Sequence, residues 1–474
     1  MTAVVPADAA AAEMTDRSVR LRKPAMDRRT QALLDAPLVP LLLRLAAPNI
    51  LLMLAQSATG LIETYFVGKL GTDALAGVSI VFPGVMLMQM ISAGSMGGGI
   101  SASVARALGG GRADDAASLV WHALVINGVL GLVCTAAVLT FGPELYRALG
   151  GSDATLHAAL AYSNVIYAGA ILLWLMNALA SVIRGTGNML VPGAVICGGA
   201  LLLIPISPAL IFGWGPFPRM GVSGGATALV GYYLVGIVVL AAYLWGGLGV
   251  VRPGFRVRLR TRLFMAILRI GALASTTSIQ TNLTIMLTTG MVGAFGPAAL
   301  AGFGTGSRLE YLMVPIAFGV GGPLVAIVGT NIGAGQGPRA LHAAWIGGAI
   351  GFALTEAVGI AAAVFPRAWL SLFDSDPAMI QTGSQYLRIV GPCYGFFGLG
   401  LVLYFASQGA GRLGWPVAAQ FFRLMVAGAG SLIALRLGGG LTSVFVMIGV
   451  ALAVFGLTVA ASIASGSWSG RRAA

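Results

Sequence analysis

The chain has 474 residues, of which 57% are hydrophobic and only 9% charged, with a formal net charge of +13. A soluble globular domain carries about 25% charged residues, so water is excluded as the solvent for most of this surface. The basic excess forms no patch interleaved with aromatics, as a nucleic-acid interface would; it falls in short gaps between apolar runs, so it reads as membrane topology and no nucleic-acid partner is expected.

Residues 1–37 open the chain as a polar, Ala-rich, basic segment carrying Arg17, Arg20, Arg22, Lys23, Arg28 and Arg29. This composition predicts a disordered cytoplasmic arm. The first apolar run is longer than a signal-peptide core and flows straight into further spans, so no cleavage is expected. Twelve apolar runs then follow between turn signals, near 38–66, 75–100, 117–140, 159–183, 190–213, 225–246, 266–294, 307–331, 342–365, 379–405, 416–436 and 441–464. A hydrocarbon core needs roughly 20 apolar residues to cross, and only helices satisfy their own backbone polar groups in lipid. The expected fold is therefore an all-α polytopic membrane protein with about twelve transmembrane helices.

Lys69, Arg147, Arg219, Arg367 and Arg436 fall in the loops on one side, whereas most other basic residues fall on the side that carries the N-terminal arm. By the positive-inside tendency both termini are expected in the cytoplasm. The expected organisation is an arm at 1–37, a six-helix bundle at 38–247, a basic cytoplasmic inter-bundle loop at 248–265, a second six-helix bundle at 266–464 and a cytoplasmic tail at 465–474. Cys134, Cys197 and Cys393 are too isolated to form a disulfide framework or a metal spacing.

The chain repeats itself. Leu70-Gly-Thr-Asp-Ala-Leu-Ala-Gly77 recurs as Phe295-Gly-Pro-Ala-Ala-Leu-Ala-Gly302, the glycines at 109–111 recur at 333–335, and Arg184-Gly-Thr-Gly187 returns as Gln408-Gly-Ala-Gly411. A near-constant offset of 224 or 225 residues over this length marks an internal duplication. Each half holds six spans, an even number, so the second half enters from the same side as the first. The halves are then parallel repeats related by an axis along the membrane normal, with a central cleft between them that suits alternating access.

Three carboxylates fall inside predicted spans: Glu63, Glu310 and Glu356. An intramembrane acid is costly unless it is paired, protonated or facing water, so each is a candidate site residue. Asn49, Gln56, Thr59 and Glu63 form one polar stripe along the first span, expected to face the cleft. The repeat carries this stripe onto Thr281, Thr284 and Thr288 of the seventh span, polar but uncharged. Asn177, in the fourth span, is a further cleft candidate, with an interhelical hydrogen bond as the alternative. The glycines at 109–111 lack the Lys-Ser/Thr of a nucleotide-binding loop.

After the arm, nearly the whole chain resembles the multidrug and toxin extrusion (MATE) family. The match rests on Leu45-Ala-Ala-Pro48, Gly60-Leu-Ile-Glu-Thr64, the Leu70–Gly77 segment, Arg184-Gly-Thr-Gly187 and Val328-Gly-Thr-Asn-Ile-Gly-Ala-Gly335, in order and duplicated. The resemblance implies a secondary antiporter in the bacterial inner membrane that exports organic compounds, cationic or amphiphilic, in exchange for H⁺ or Na⁺. It implies no cofactor beyond the coupling ion, no enzymatic activity, a small-molecule substrate, contact with membrane lipid, and function as a monomer. It also places Glu63 where such exporters carry an acidic residue late in the first helix, thought to bind the coupling ion. Ser207 stands where the family often has Asp, so part of the usual acidic cluster is missing, and a lone Glu63 favours a proton. The alternative is a lipid-linked saccharide or lipid flippase of similar two-bundle architecture. An intramembrane enzyme would need paired Asp motifs or a His-Glu-x-x-His site, neither of which occurs in these spans.

Overall fold

The computed structural model describes residues 27–255, 258–373 and 375–468, without the side chains of residues 51–52, 54–64 and 311–312. Each apolar run is one helical unit: α1 (Leu38–Gly68), α2 (Thr72–Gly109), α3 (Ala113–Ala148), α4 (Asp153–Ala168 and Ala170–Gly185), α5 (Leu190–Phe212), α6 (Val222–Trp245), α7 (Thr261–Gly293), α8 (Pro297–Gly333), α9 (Gly337–Val364), α10 (Pro377–Ala410), α11 (Gly414–Arg436) and α12 (Leu441–Ala464). Ten have the length and apolarity of a span among the described residues, and the two parts of α4, bent by 46°, make an eleventh. α1, at 31 residues, is about 46 Å long and completes the twelve. Several helices outrun their apolar cores; α8 begins at Pro297 and α7 at Thr261, because hydropathy marks the hydrocarbon-crossing portion and not the polar turns beyond it.

The exterior is apolar, as lipid requires: Val129, Leu132 and Val133 on α3, Leu201 and Leu202 on α5, and Val235 and Val238 on α6 are all exposed. Inside, small residues bring backbones together. α2 packs on α4 as α8 packs on α10, α3 on α4 as α9 on α10, α5 on α6 as α11 on α12, and α1 on α5 as α7 on α11. Across the centre α1 meets α8 and α7 meets α2, while α2 and α8 meet each other. This is a two-fold arrangement of parallel six-helix halves.

Individual contacts repeat under the same offset. A Cβ on Gly185 would strike Ser101 of α2, and one on Gly409 would strike Val325 of α8. At the centre the relation becomes reciprocal, with Gly109 against the Thr330 carbonyl and Gly333 against the Arg106 carbonyl. Only glycines allow these backbones so close. α1 and α7 cross between the halves at this end: Leu42 and Ala46 of α1 join a core built on α8, α9, α10 and α12, whereas Leu263 and Ile267 of α7 join the core of the first half. Thr72–Gln89 of α2, farther from this end, packs on α4 and α1 of its own half. The halves are thus sealed together at the end that carries the 109–111 and 333–335 loops.

The arm differs from its expectation. Residues 1–26 lie outside the described residues, but Arg28–Asp35 is a helix capped by Asp27, whose carboxylate accepts from the Arg29 N–H at 2.9 Å. Its Thr30, Leu33 and Leu34 are buried. The Leu33 carbonyl accepts from Asn331 Nδ2 of α8 at 3.1 Å, and the Leu33 side chain lies over Gly187 of the first half. The Ala36 carbonyl accepts from Arg339. One apolar face of a short, charged helix therefore docks across both halves at the sealed end.

The inter-bundle loop is also pinned. Trp121 Nε1 donates to the Gly254 carbonyl at 2.8 Å, and buried Asp115 pairs with Arg262 at 2.7 Å and with Arg260 and Arg112 at 3.5 Å.

Candidate functional site

A cavity of about 100 Å³ lies on the second-half side of the centre, walled by α2, α7, α8, α10, α11 and α12. Two irregular turns shape it. Met90–Met96 of α2 is a π-helical segment whose Gly94 and Ser95 reach the cavity, and Val426–Gly430 of α11 is a second such segment just beyond Arg423. A π-turn frees backbone groups from the regular ladder and often marks a functional position. Here Gln408 Nε2 lies 3.4 Å from the Gly94 and Ser95 carbonyls, and Asn177 Nδ2 donates to Ser92 Oγ at 3.0 Å.

The cavity wall is aromatic and polar. Phe318 and Phe405 meet edge to face with centroids 4.6 Å apart. Thr277, Ser278 and Thr281 of α7 face Gln420 and Arg423 of α11, and Gln420 Nε2 donates to Thr281 Oγ1 at 2.7 Å. Arg423, only 6% exposed, is the one charged side chain lining the cavity among the described residues. Its guanidinium sits 5.4 Å from the Phe397 centroid and 5.9 Å from that of Phe455.

Glu310 of α8, half-buried, accepts a 2.5 Å hydrogen bond from the buried Tyr386 hydroxyl of α10. It makes no ion pair with Arg423 within 4 Å. Glu356 of α9 serves differently. α10 is interrupted by a 3₁₀ turn at Gly391–Cys393, and Glu356 Oε2 accepts from the Gly395 N–H at 2.7 Å, supplying the acceptor that the restarted helix lacks.

Among the remaining sequence candidates, Thr281 lines the cavity. Thr284 and Thr288 are buried in helix packing, where their hydroxyls donate to the Gln280 and Thr284 carbonyls. Asn177 makes the interhelical bond already noted and does not line this cavity, and Ser207 is buried with no hydrogen-bond partner among the described residues. The side chains of Gln56, Thr59 and Glu63 lie outside the described residues. Asn49, the first member of their stripe, does not face open space: it is 3% exposed and donates to the Phe318 and Gly319 carbonyls of α8 at 3.2 Å.

Sequence reading passed over Arg423, Gln420 and Tyr386. Gln420 and Arg423 are spaced i, i+3 in an apolar helix, the same polar-stripe signal that singled out Glu63.

Comparison with known proteins agrees with this architecture. The MatE family model matches residues 48–209 and 274–433, one stretch in each half. A probable multidrug resistance protein NorM of Deinococcus radiodurans is 31% identical over 468 residues, covering 91% of this chain and 94% of its own. The FAD transporter of Shewanella oneidensis is 30% identical over 384 residues, covering 79% and 82%. In structure, a MOP superfamily transporter from Pyrococcus furiosus superposes with a TM-score of 0.85 at 22% identity, covering 94% of this chain and 99% of that one. With both halves matched by the family and the relatives aligned along most of their length, the chain belongs to the MatE family of multi-span membrane transporters.

Proposed function

We propose that this transporter is a secondary active antiporter that exports organic compounds in exchange for H⁺ or Na⁺ by alternating access. The observation that carries this reading is the two-fold pair of halves, locked at one end by the reciprocal Gly109–Thr330 and Gly333–Arg106 contacts beside a polar, aromatic cavity. Exchanging that lock for a like contact at the other end is what alternating access requires. With both termini and the basic loop in the cytoplasm of a bacterial inner membrane, the sealed end is the cytoplasmic one, and this is the outward-facing state.

Coupling is assigned to Glu63, on the strength of its place in the family pattern, with Glu310 as a second acid in the other half. Glu356, engaged with the Gly395 N–H, is read as structural. Of the two substrate classes that the sequence suggests, the aromatic walls and single buried cation favour amphiphiles over simple cations. The Shewanella oneidensis relative, named for FAD, is consistent with such a cargo.

The test is reconstitution of the full chain in liposomes with a pH gradient or a Na⁺ gradient imposed separately, following fluorescent organic ions of either charge. Gradient-driven movement supports the antiporter. Movement with neither gradient, or none at all, overturns it.

A further inference from the structure

We propose that Arg423 is an anion-binding subsite, and that the cavity takes the anionic head group of an amphiphile whose apolar or aromatic body lies along the Phe318, Phe405 and Phe455 wall. The inference rests on the reading of the chain as an exporter of organic amphiphiles and names the chemistry of the cargo.

A guanidinium carries five N–H donors. Removing them from water without acceptors is costly, so a buried arginine ordinarily ends on carboxylates, carbonyls or phosphates. Arg423 is 94% buried and lines the cavity, yet among the described residues its guanidinium has no hydrogen-bond acceptor. Its partners are the faces of Phe397 and Phe455, which balance charge but accept none of the in-plane N–H groups. The nearby carboxylate does not fill the gap, because Glu310 is engaged by Tyr386 at 2.5 Å and stays beyond ion-pair distance.

The volume agrees. A cavity of about 100 Å³ leaves room beside Arg423 for a carboxylate or phosphate. Gln420, fixed through Nε2 to Thr281, stands one turn before Arg423 on the same face. Phe397 and Phe455 lie within 6 Å of the guanidinium carbon, and the fork geometry of an arginine suits two-point recognition of an anionic group.

Two sources share this chemistry, an anionic organic substrate and the head group of an anionic phospholipid. The experiment uses the full chain in phosphatidylcholine nanodiscs and measures equilibrium binding of 1-naphthyl phosphate against neutral 1-naphthyl β-D-glucoside. Wild type is expected to prefer the phosphate by about tenfold or more, the worth of a charge-assisted hydrogen bond. Arg423→Gln is expected to lose the preference and Arg423→Lys to keep part of it. Repeating the measurement in phosphatidylglycerol nanodiscs separates the sources: a preference that survives identifies a soluble anionic cargo, and one that is competed away identifies lipid at the same subsite. Equal affinity for the two naphthyl compounds in wild type, no binding of the phosphate, or a preference that persists in Arg423→Gln overturns the proposal, and the wild-type result decides even if the variants misfold. Gradient-driven dye movement without anion preference would sink this subsite while leaving the antiporter standing. Anion preference without such movement would do the reverse.

Discussion

Asn49 of α1 donates to the Gly319 carbonyl of α8 at 3.2 Å. Four residues beyond Gly319 stands Pro323, inside the helix and without an N–H, so the ordinary intrahelical donor to that carbonyl does not exist. In lipid such a gap must be closed by a neighbouring helix. The polar residue at 49 therefore joins the halves, and replacing it by Leu should destabilise the protein by about 1–3 kcal/mol. A lower melting temperature of the purified protein in detergent checks this; an unchanged one means that the carbonyl finds another donor.

The reciprocal glycine contacts make a sharper prediction about state. A methyl group at Gly109 would overlap the Thr330 carbonyl, and one at Gly333 the Arg106 carbonyl, so Gly109→Ala and Gly333→Ala should each weaken the seal. A cysteine introduced at Ala102, which is fully buried, should then be alkylated faster in either background. The two substitutions should act alike because the contacts are related by the repeat.

His122 is fully buried, with Nδ1 at 2.8 Å from the Ser118 carbonyl and Nε2 at 2.8 Å from the Arg260 N–H. One nitrogen donates and the other accepts, which only the neutral ring does. His122→Leu should release the N–H of Arg260, and Asp115→Asn should loosen the arginines held beside it. Trypsin cleavage between Arg252 and Arg262 should rise about tenfold in His122→Leu, as the loss of one buried hydrogen bond implies. Equal cleavage would place the loop's order elsewhere, in Trp121 and Gly254.

Glu356 and Glu310 were alike on sequence and differ in structure. With one oxygen capping the Gly395 N–H, Glu356 needs to be an acceptor but not an acid. Glu356→Gln should keep gradient-driven transport, and Glu356→Ala should cost about 1–3 kcal/mol of stability. Loss of coupling in the Gln variant at normal stability would restore Glu356 as a proton site.

Much of the fold was legible because lipid leaves few choices: twelve apolar runs had to be helices, and the offset of 224 residues had to bring like contacts together. Arg28–Asp35 was not legible, since five of its eight residues are charged or polar and its three apolar ones are too few to form a run until Leu33 and Leu34 find the surface of α8. The site was read only in part. Arg423 was passed over as one more basic residue, whereas its position beside Gln420 and within 6 Å of two phenylalanine rings is what gives it meaning. Asn49 was misplaced for the opposite reason, because periodicity reports a polar face without telling whether that face meets a cleft or a proline-broken neighbour.

The central claim is that an ion gradient drives export through a carboxylate in the first half. Its most direct test compares wild type with Glu63→Gln in proteoliposomes under separate pH and Na⁺ gradients, at matched insertion. The account predicts gradient-driven efflux of an organic ion in wild type and its loss in Glu63→Gln. Coupled efflux that is unchanged in the variant would contradict it.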